Sequence, residues 1–102
     1  MPKSPEVERI PSDLEALLDR FFDVSRQDLE QMRNALRARD FETLVRLGHT
    51  ARGTGSGYGF KGMGRIGHEI EQAALKRDSD ALKTHVDTLG HYLDTVQVEL
   101  DG

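Results

Sequence analysis

The sequence has 102 residues, a length that suits one domain with a modest core and excludes a deep substrate cavity added to its scaffold. With 36% hydrophobic and 31% charged residues it reads as a soluble globular chain, and no apolar run approaches the roughly 18 residues of a membrane span. A net charge of -4, from 14 basic against 18 acidic residues, argues against a nucleic-acid partner, and the lack of cysteine excludes disulfide and thiolate chemistry.

Residues 1–11 contain all the prolines and read as an extended, flexible lead-in; residues 12–102 read as one domain. No apolar leader opens the chain, so a cytoplasmic setting is expected. Ser12 with Glu15 forms a capping-box pattern, and a long helix is predicted from about residue 13 to 38. Its apolar stripe runs through Leu14, Leu17, Leu18, Phe21, Val24, Leu29, Met32, Ala35 and Leu36. Ser25 to Asp28 is its weak point, where a kink or a break into two helices is expected. Asp40 is a plausible N-cap for a second helix, whose inner side carries Phe41, Leu44, Leu47 and Ala51 as far as Ser56 or Gly57. Tyr58 to Gly62 reads as a turn, with Tyr58 and Phe60 capping the end of the core. A third helix follows from about Met63 to Lys76, where Gly64 and Gly67 allow close approach to the second. Arg77 to Asp80 is a polar connection. The last helix is predicted from Ala81 to Leu100, with its seam at Leu82, Val86, Leu89, Leu93, Val96 and Leu100. No stretch reads as a strand pair. The expected fold is all-α, an antiparallel up-down four-helix bundle with room for an extra short N-terminal helix.

Eight of the ten glycines fall between Gly48 and Gly67, around His49. Each glycine within a helix costs about 1 kcal/mol against alanine, so close helix contacts account for only one or two of them. At about 100° per residue, Arg52, Gly53 and Ser56 share the outward side of the second helix with His49, opposite Leu44, Leu47 and Ala51. A lone exposed histidine on a helix usually does nothing, and the glycines argue for more. Gly53 leaves room for a tetrahedral group on the imidazole, and Arg52 offers planar donors to an oxyanion. A largely neutral imidazole at cellular pH is nucleophilic. Nucleophile, space and anion partner are what phosphorylation of a ring nitrogen needs. The stretch holds no acid for a leaving group and no carboxylate cluster for Mg²⁺.

His49-x-x-Arg52-Gly53-x-Gly55-x-x-Tyr58-Gly59-Phe60 resembles the signature of histidine-containing phosphotransfer (HPt) domains, and the likeness extends over about residues 13–100. The resemblance implies a phosphorelay intermediate, not an enzyme with its own turnover. His49 would accept a phosphoryl group from a receiver-domain aspartate and pass it to another receiver. Arg52 would stand where the family often has lysine, Gly53 would give steric access, and Glu71 occupies the position that orients the imidazole. The implied partners are response-regulator receivers and hybrid sensor kinases, with no nucleic acid and no membrane. The chain is expected to be a free-standing monomer without a cofactor, and Mg²⁺ is expected on the receiver.

Val45 is the expected apolar docking residue, with Ser56, Lys61 and Arg65 beside it; Phe22 is a second surplus apolar residue. Val45 and Phe22 could equally be core residues at helix edges, and the charges of Lys61 and Arg65 could be plain solvated ones. His68 and Glu71 lie at a spacing metal ligands use, but the inner stripes are apolar, so no metal site is expected. His85 is read as a boundary residue and His91 as surface. The rival function is a helical adaptor that binds receivers or kinases without being phosphorylated, and a metal-binding bundle is a weaker third.

Overall fold

The computed structural model describes residues 5–102. Strand β1 (Val7–Pro11) leads into a 3-10 helix (Ser12–Leu17), followed by α1 (Leu18–Arg37), α2 (Phe41–Tyr58), α3 (Lys61–Leu75), α4 (Ser79–Thr95) and strand β2 (Gln97–Asp101). The described residues are mostly helical, with four α-helices among them. Helix α1 packs on α2 and α4, and α3 packs on α2 and α4. The buried stripes of the four helices form one core that includes Met32, Leu44, Ile70, Leu82 and Leu89.

The helix starts and stops follow local chemistry. Asp40 caps α2 by accepting from the Thr43 backbone N–H at 3.1 Å, and Asp78 caps α4 by accepting from Ala81 N–H at 3.1 Å. The Thr43 hydroxyl and backbone N–H hold the Asp40 carboxyl below the usual carboxylate range. Helix α2 ends at Gly59, whose φ of 97° is a left-handed conformation that suits glycine. Phe60 follows and is fully buried; its ring stacks on Phe21 at 4.4 Å between centroids, so it closes the core at that end.

Several expectations need correction. There is a strand pair: β1 and β2 run parallel, with Glu8 opposite Val98 and Ile10 opposite Leu100. Residues 7–11, read as a lead-in outside the domain, therefore belong to its body, and Ile10 is fully buried in the core. The first four residues of that lead-in lie outside the described residues. The last helix ends at Thr95 and not at Leu100, because Val96 turns extended at φ -58° and ψ 134°. From there Val96, Gln97, Val98, Glu99 and Leu100 alternate apolar and polar, a pattern that fits a strand as well as a helix seam. Val98 packs on the core, while Leu100 is 43% exposed. The first helix opens as a 3-10 turn with Pro11 at its N-cap, and Ser12 makes no capping hydrogen bond. Across Ser25 to Asp28, α1 is uninterrupted: Ser25 is buried and its hydroxyl faces the Met63 sulfur at 3.9 Å, so this polar residue faces the core without breaking the helix.

The N-terminal strand is tied to α3 and α4 by a buried carboxylate. Glu8 accepts from the Gly62 backbone N–H at 2.7 Å and from the Tyr92 hydroxyl at 2.6 Å. No side chain at the α3 N-cap, Phe60, can satisfy a first-turn N–H, so Glu8 does this from a distant part of the chain. Burial, and then the hydrogen bond and charge of Glu8, push the Tyr92 hydroxyl well above the usual tyrosine range.

Candidate functional site

Helices α2 and α3 meet through glycines. A Cβ on Gly48 would lie 2.7 Å from the Glu71 backbone nitrogen, and one on Gly67 would lie 2.5 Å from that of Arg52. Gly55 and Gly64 repeat the arrangement further along: a Cβ on Gly55 would sit 2.8 Å from the Gly64 nitrogen. Neither backbone can retreat from a methyl group without moving the helix, so these residues fix the spacing of the pair. Packing thus requires four glycines at this seam, Gly48, Gly55, Gly64 and Gly67, more than the one or two expected from sequence. By contrast, a Cβ on Gly53 or on Gly57 would meet nothing within 4 Å. The glycines thus divide into a meshed set against α3 and an open set at the surface.

The close approach brings Glu71 of α3 under two side chains of α2. His49 Nδ1 lies 3.1 Å from Glu71 Oε2, and Arg52 Nη1 lies 3.5 Å from Glu71 Oε1. The Glu71 side chain is only 13% exposed, while those of His49 and Arg52 are 71% and 52% exposed. Glu71 Oε1 is buried and has no hydrogen-bond partner among the described residues, so the longer Arg52 contact is the compensation seen there. Held in this way, a neutral imidazole donates from Nδ1 and keeps its lone pair on Nε2. His49, Arg52 and Glu71 are thus brought together, and Gly53 lies open on the same side of α2.

A family model for the Hpt domain matches residues 16–99. The chain belongs to the Hpt domain family. Hpt domains are phosphocarriers in histidine phosphotransfer, and they interact with receiver domains and histidine kinases in phosphorelays. No curated protein and no solved structure gives a significant match to the chain.

The other expected residues of this Hpt domain are more scattered. Val45 and Phe22 are half-buried and packed against the core, which favours the helix-edge reading for both. Ser56 and Lys61 are exposed. Arg65 is not a free cation: its guanidinium contacts both carboxylate oxygens of Glu6 at 2.9 and 3.0 Å. His68, one turn before Glu71, has a buried Nδ1 without a hydrogen-bond partner among the described residues. His85 is partly buried near Glu69, and His91 is exposed. Among the described residues no three His, Asp or Glu side chains are grouped to hold a metal, and no helix is long and apolar enough to cross a membrane.

Two exposed apolar residues were assigned to the core stripe in the sequence. Leu17 is 46% exposed and Val24 is 40% exposed. Val24 lines a groove between α1 and α2 with Thr50, Thr54 and Tyr58, and Leu17 lines its neighbour with Leu14, Thr54 and Gly57. Local periodicity carries no signal for their exposure, since buried pairs such as Leu82 and Leu89 show the same seven-residue spacing.

Proposed function

We propose that this Hpt domain carries a phosphoryl group on His49 Nε2, taking it from the aspartyl phosphate of one receiver domain and passing it to the aspartate of another. The observation that supports this best is an outward imidazole whose inner nitrogen is held: His49 is 71% exposed, with Nδ1 3.1 Å from the Glu71 carboxylate. In the forward step the Nε2 lone pair bonds to phosphorus as the bond from phosphorus to the aspartyl oxygen breaks. The aspartate leaves as a carboxylate, and Nδ1 keeps its proton. The reverse step restores the neutral imidazole. Such transfers depend mainly on positioning and charge stabilisation.

In this reading Glu71 orients the ring, Arg52 supplies cationic donors to the phosphoryl oxygens, and Gly53 leaves the approach clear. The receiver brings Mg²⁺ in its acidic pocket, so this chain needs no cofactor of its own. Docking uses the face around His49, with Ser56 and Lys61 at its polar rim and the Leu17 and Val24 flank as its exposed apolar part. Val45 contributes an edge, and Arg65 contributes only if it leaves Glu6. The carrier works as a cytoplasmic monomer, between receivers or from a hybrid kinase.

The test is transfer from a phosphorylated cognate receiver with Mg²⁺. Wild type is expected to gain acid-labile label, with little label from acetyl phosphate alone. Equal labelling of His49→Gln would defeat the assignment. Receiver binding without any transfer would favour the adaptor reading.

A further inference from the structure

The single carboxylate beneath two cationic or potentially cationic groups has a consequence for how charge is balanced during the carrier cycle. We propose that Glu71 is a shared counter-ion that changes partners: it serves both the His49 Nδ1–H and Arg52 while Nε2 is free, and pairs with the His49 imidazolium alone once Nε2 is phosphorylated, releasing Arg52 to the phosphoryl oxygens. This rests on the carrier reading above and concerns what the site does within it.

The geometry supplies each part. Glu71 presents one oxygen to each neighbour, Oε2 to His49 Nδ1 at 3.1 Å and Oε1 to Arg52 Nη1 at 3.5 Å. The carboxylate is largely buried between α2 and α3, so its charge needs a partner in both states. A neutral ring offers the carboxylate a hydrogen bond but no full charge, and Arg52 is then the full positive charge that lies against it among the described residues. Phosphorylation changes the ring. With Nδ1 keeping its proton, bonding Nε2 to phosphorus leaves a positive imidazolium next to Glu71. The carboxylate then has a full counter-charge at hydrogen-bond distance, and Arg52 becomes redundant to it. At the same moment a dianionic group stands outside the ring, on the side of α2 that Arg52 shares. Arg52 is half-exposed and long enough to turn, whereas the Glu71 side chain is largely buried and has less room to move. Every charge remains paired before and after the step, with one side chain moving.

The exchange makes a prediction that simple stabilisation by Arg52 does not. In wild type, Arg52 gives up one ion pair to form another, so its net help to the phosphorylated state is reduced. With Glu71→Gln there is no resting pair to give up, and Arg52 helps in full. The measurement is the phosphorylated fraction at equilibrium with phosphoramidate and ammonia, for wild type, Arg52→Ala, Glu71→Gln and the double variant. In the donor reaction the phosphorus–nitrogen bond of phosphoramidate breaks, ammonia leaves, and the bond to Nε2 forms. Arg52→Ala is expected to lower the equilibrium constant about two- to fivefold more in the Glu71→Gln background than in wild type, the range of a half-exposed ion pair. Matching urea midpoints for Glu71→Gln and wild type keep this separate from folding. As a second reading, the Arg52 side-chain nitrogen resonances of wild type should shift on phosphorylation, and those of Arg52 in Glu71→Gln should already be shifted before it. Equal fold-changes in the two backgrounds, or Arg52 resonances that do not respond, overturn the exchange while leaving the carrier role standing. No label on wild-type His49 from phosphoramidate or from any phosphorylated receiver of the host overturns the carrier reading, and the exchange with it.

Discussion

Gly48 of α2 and Glu71 of α3 are in contact so close that a single methyl group on Gly48 would lie 2.7 Å from the Glu71 backbone nitrogen. This contact is what lets the Glu71 carboxylate reach His49, one residue further along α2. A side chain at Gly48 would push the helices apart and lengthen the 3.1 Å separation at the imidazole. Gly48→Ala gains about 1 kcal/mol of helix propensity but overpacks the seam, at about 1–3 kcal/mol. Net destabilisation in urea is expected, together with slower phosphotransfer and loss of the fixed Nδ1–H tautomer in imidazole nitrogen spectra. A stabilised Gly48→Ala with an unchanged tautomer would show that the seam does not set the site.

Gly53→Ala should behave in the opposite way. Nothing lies within 4 Å of a Cβ there, so the folded state accepts the methyl group and gains up to about 1 kcal/mol. The same methyl group stands beside the face on which a receiver would press. The expected result is a higher urea midpoint with a lower rate of transfer from a phosphorylated receiver. Gly57→Ala, equally open but two turns from His49, is the control and should gain stability with less effect on transfer. If both variants transferred as wild type, the open surface at Gly53 would have no part in access.

Much of the helical body and the outward face of α2 were legible because both rest on local periodicity. Asp40 as a cap, the apolar sides of α2 and α4, and the pairing of His49 with Arg52 on one face all follow from residues within a few turns of each other. What was not legible depends on residues far apart in sequence. Val96 to Leu100 fits both a helix seam and a strand, and its partner β1 lies about ninety residues earlier, beyond any local pattern. The glycines were over-assigned to surface clearing because a sequence gives the side of a helix but not the distance to the next one. Leu17 and Val24 were placed in the core for a similar reason, since the width of a buried stripe is set by the neighbouring helix.

Ile10 tests the strand that the sequence did not reveal. It is fully buried, packed where β1 passes the turn at Gly59. Ile10→Ala is expected to cost about 2–4 kcal/mol, as for other buried large-to-small changes. Val7→Ala, on the exposed side of the same strand at 49%, should stay within about 0.5 kcal/mol of wild type. Thermal unfolding of the two variants decides between a strand that belongs to the core and a dispensable lead-in. Equal and small effects would favour the lead-in.

The Glu8 and Tyr92 pair gives the fold a sensitivity to high pH. Tyr92 donates to Glu8 at 2.6 Å in a buried setting, and its hydroxyl is raised well above the ordinary value of 10.0. A group whose pKa is raised on folding stabilises fully below its unfolded value and loses that contribution as pH rises past it. The unfolded tyrosine releases its proton near pH 10 while the folded one keeps it, so the unfolded state gains from every further rise. Stability should therefore fall by about 1 kcal/mol between pH 10 and 11 on account of Tyr92 alone. Tyr92→Phe removes this slope and, at neutral pH, costs about 1.5–3 kcal/mol because the buried carboxylate loses a donor. Glu8→Ala removes the acceptor for both Tyr92 and the first turn of α3, at about 2–4 kcal/mol. Urea titrations at pH 8 and pH 10.5, with the two single variants and the double, measure both effects. Additive costs with an unchanged alkaline slope in Tyr92→Phe would mean that the hydrogen bond does not hold β1 against α3 and α4; a double variant no weaker than the worse single one is the expected sign of coupling.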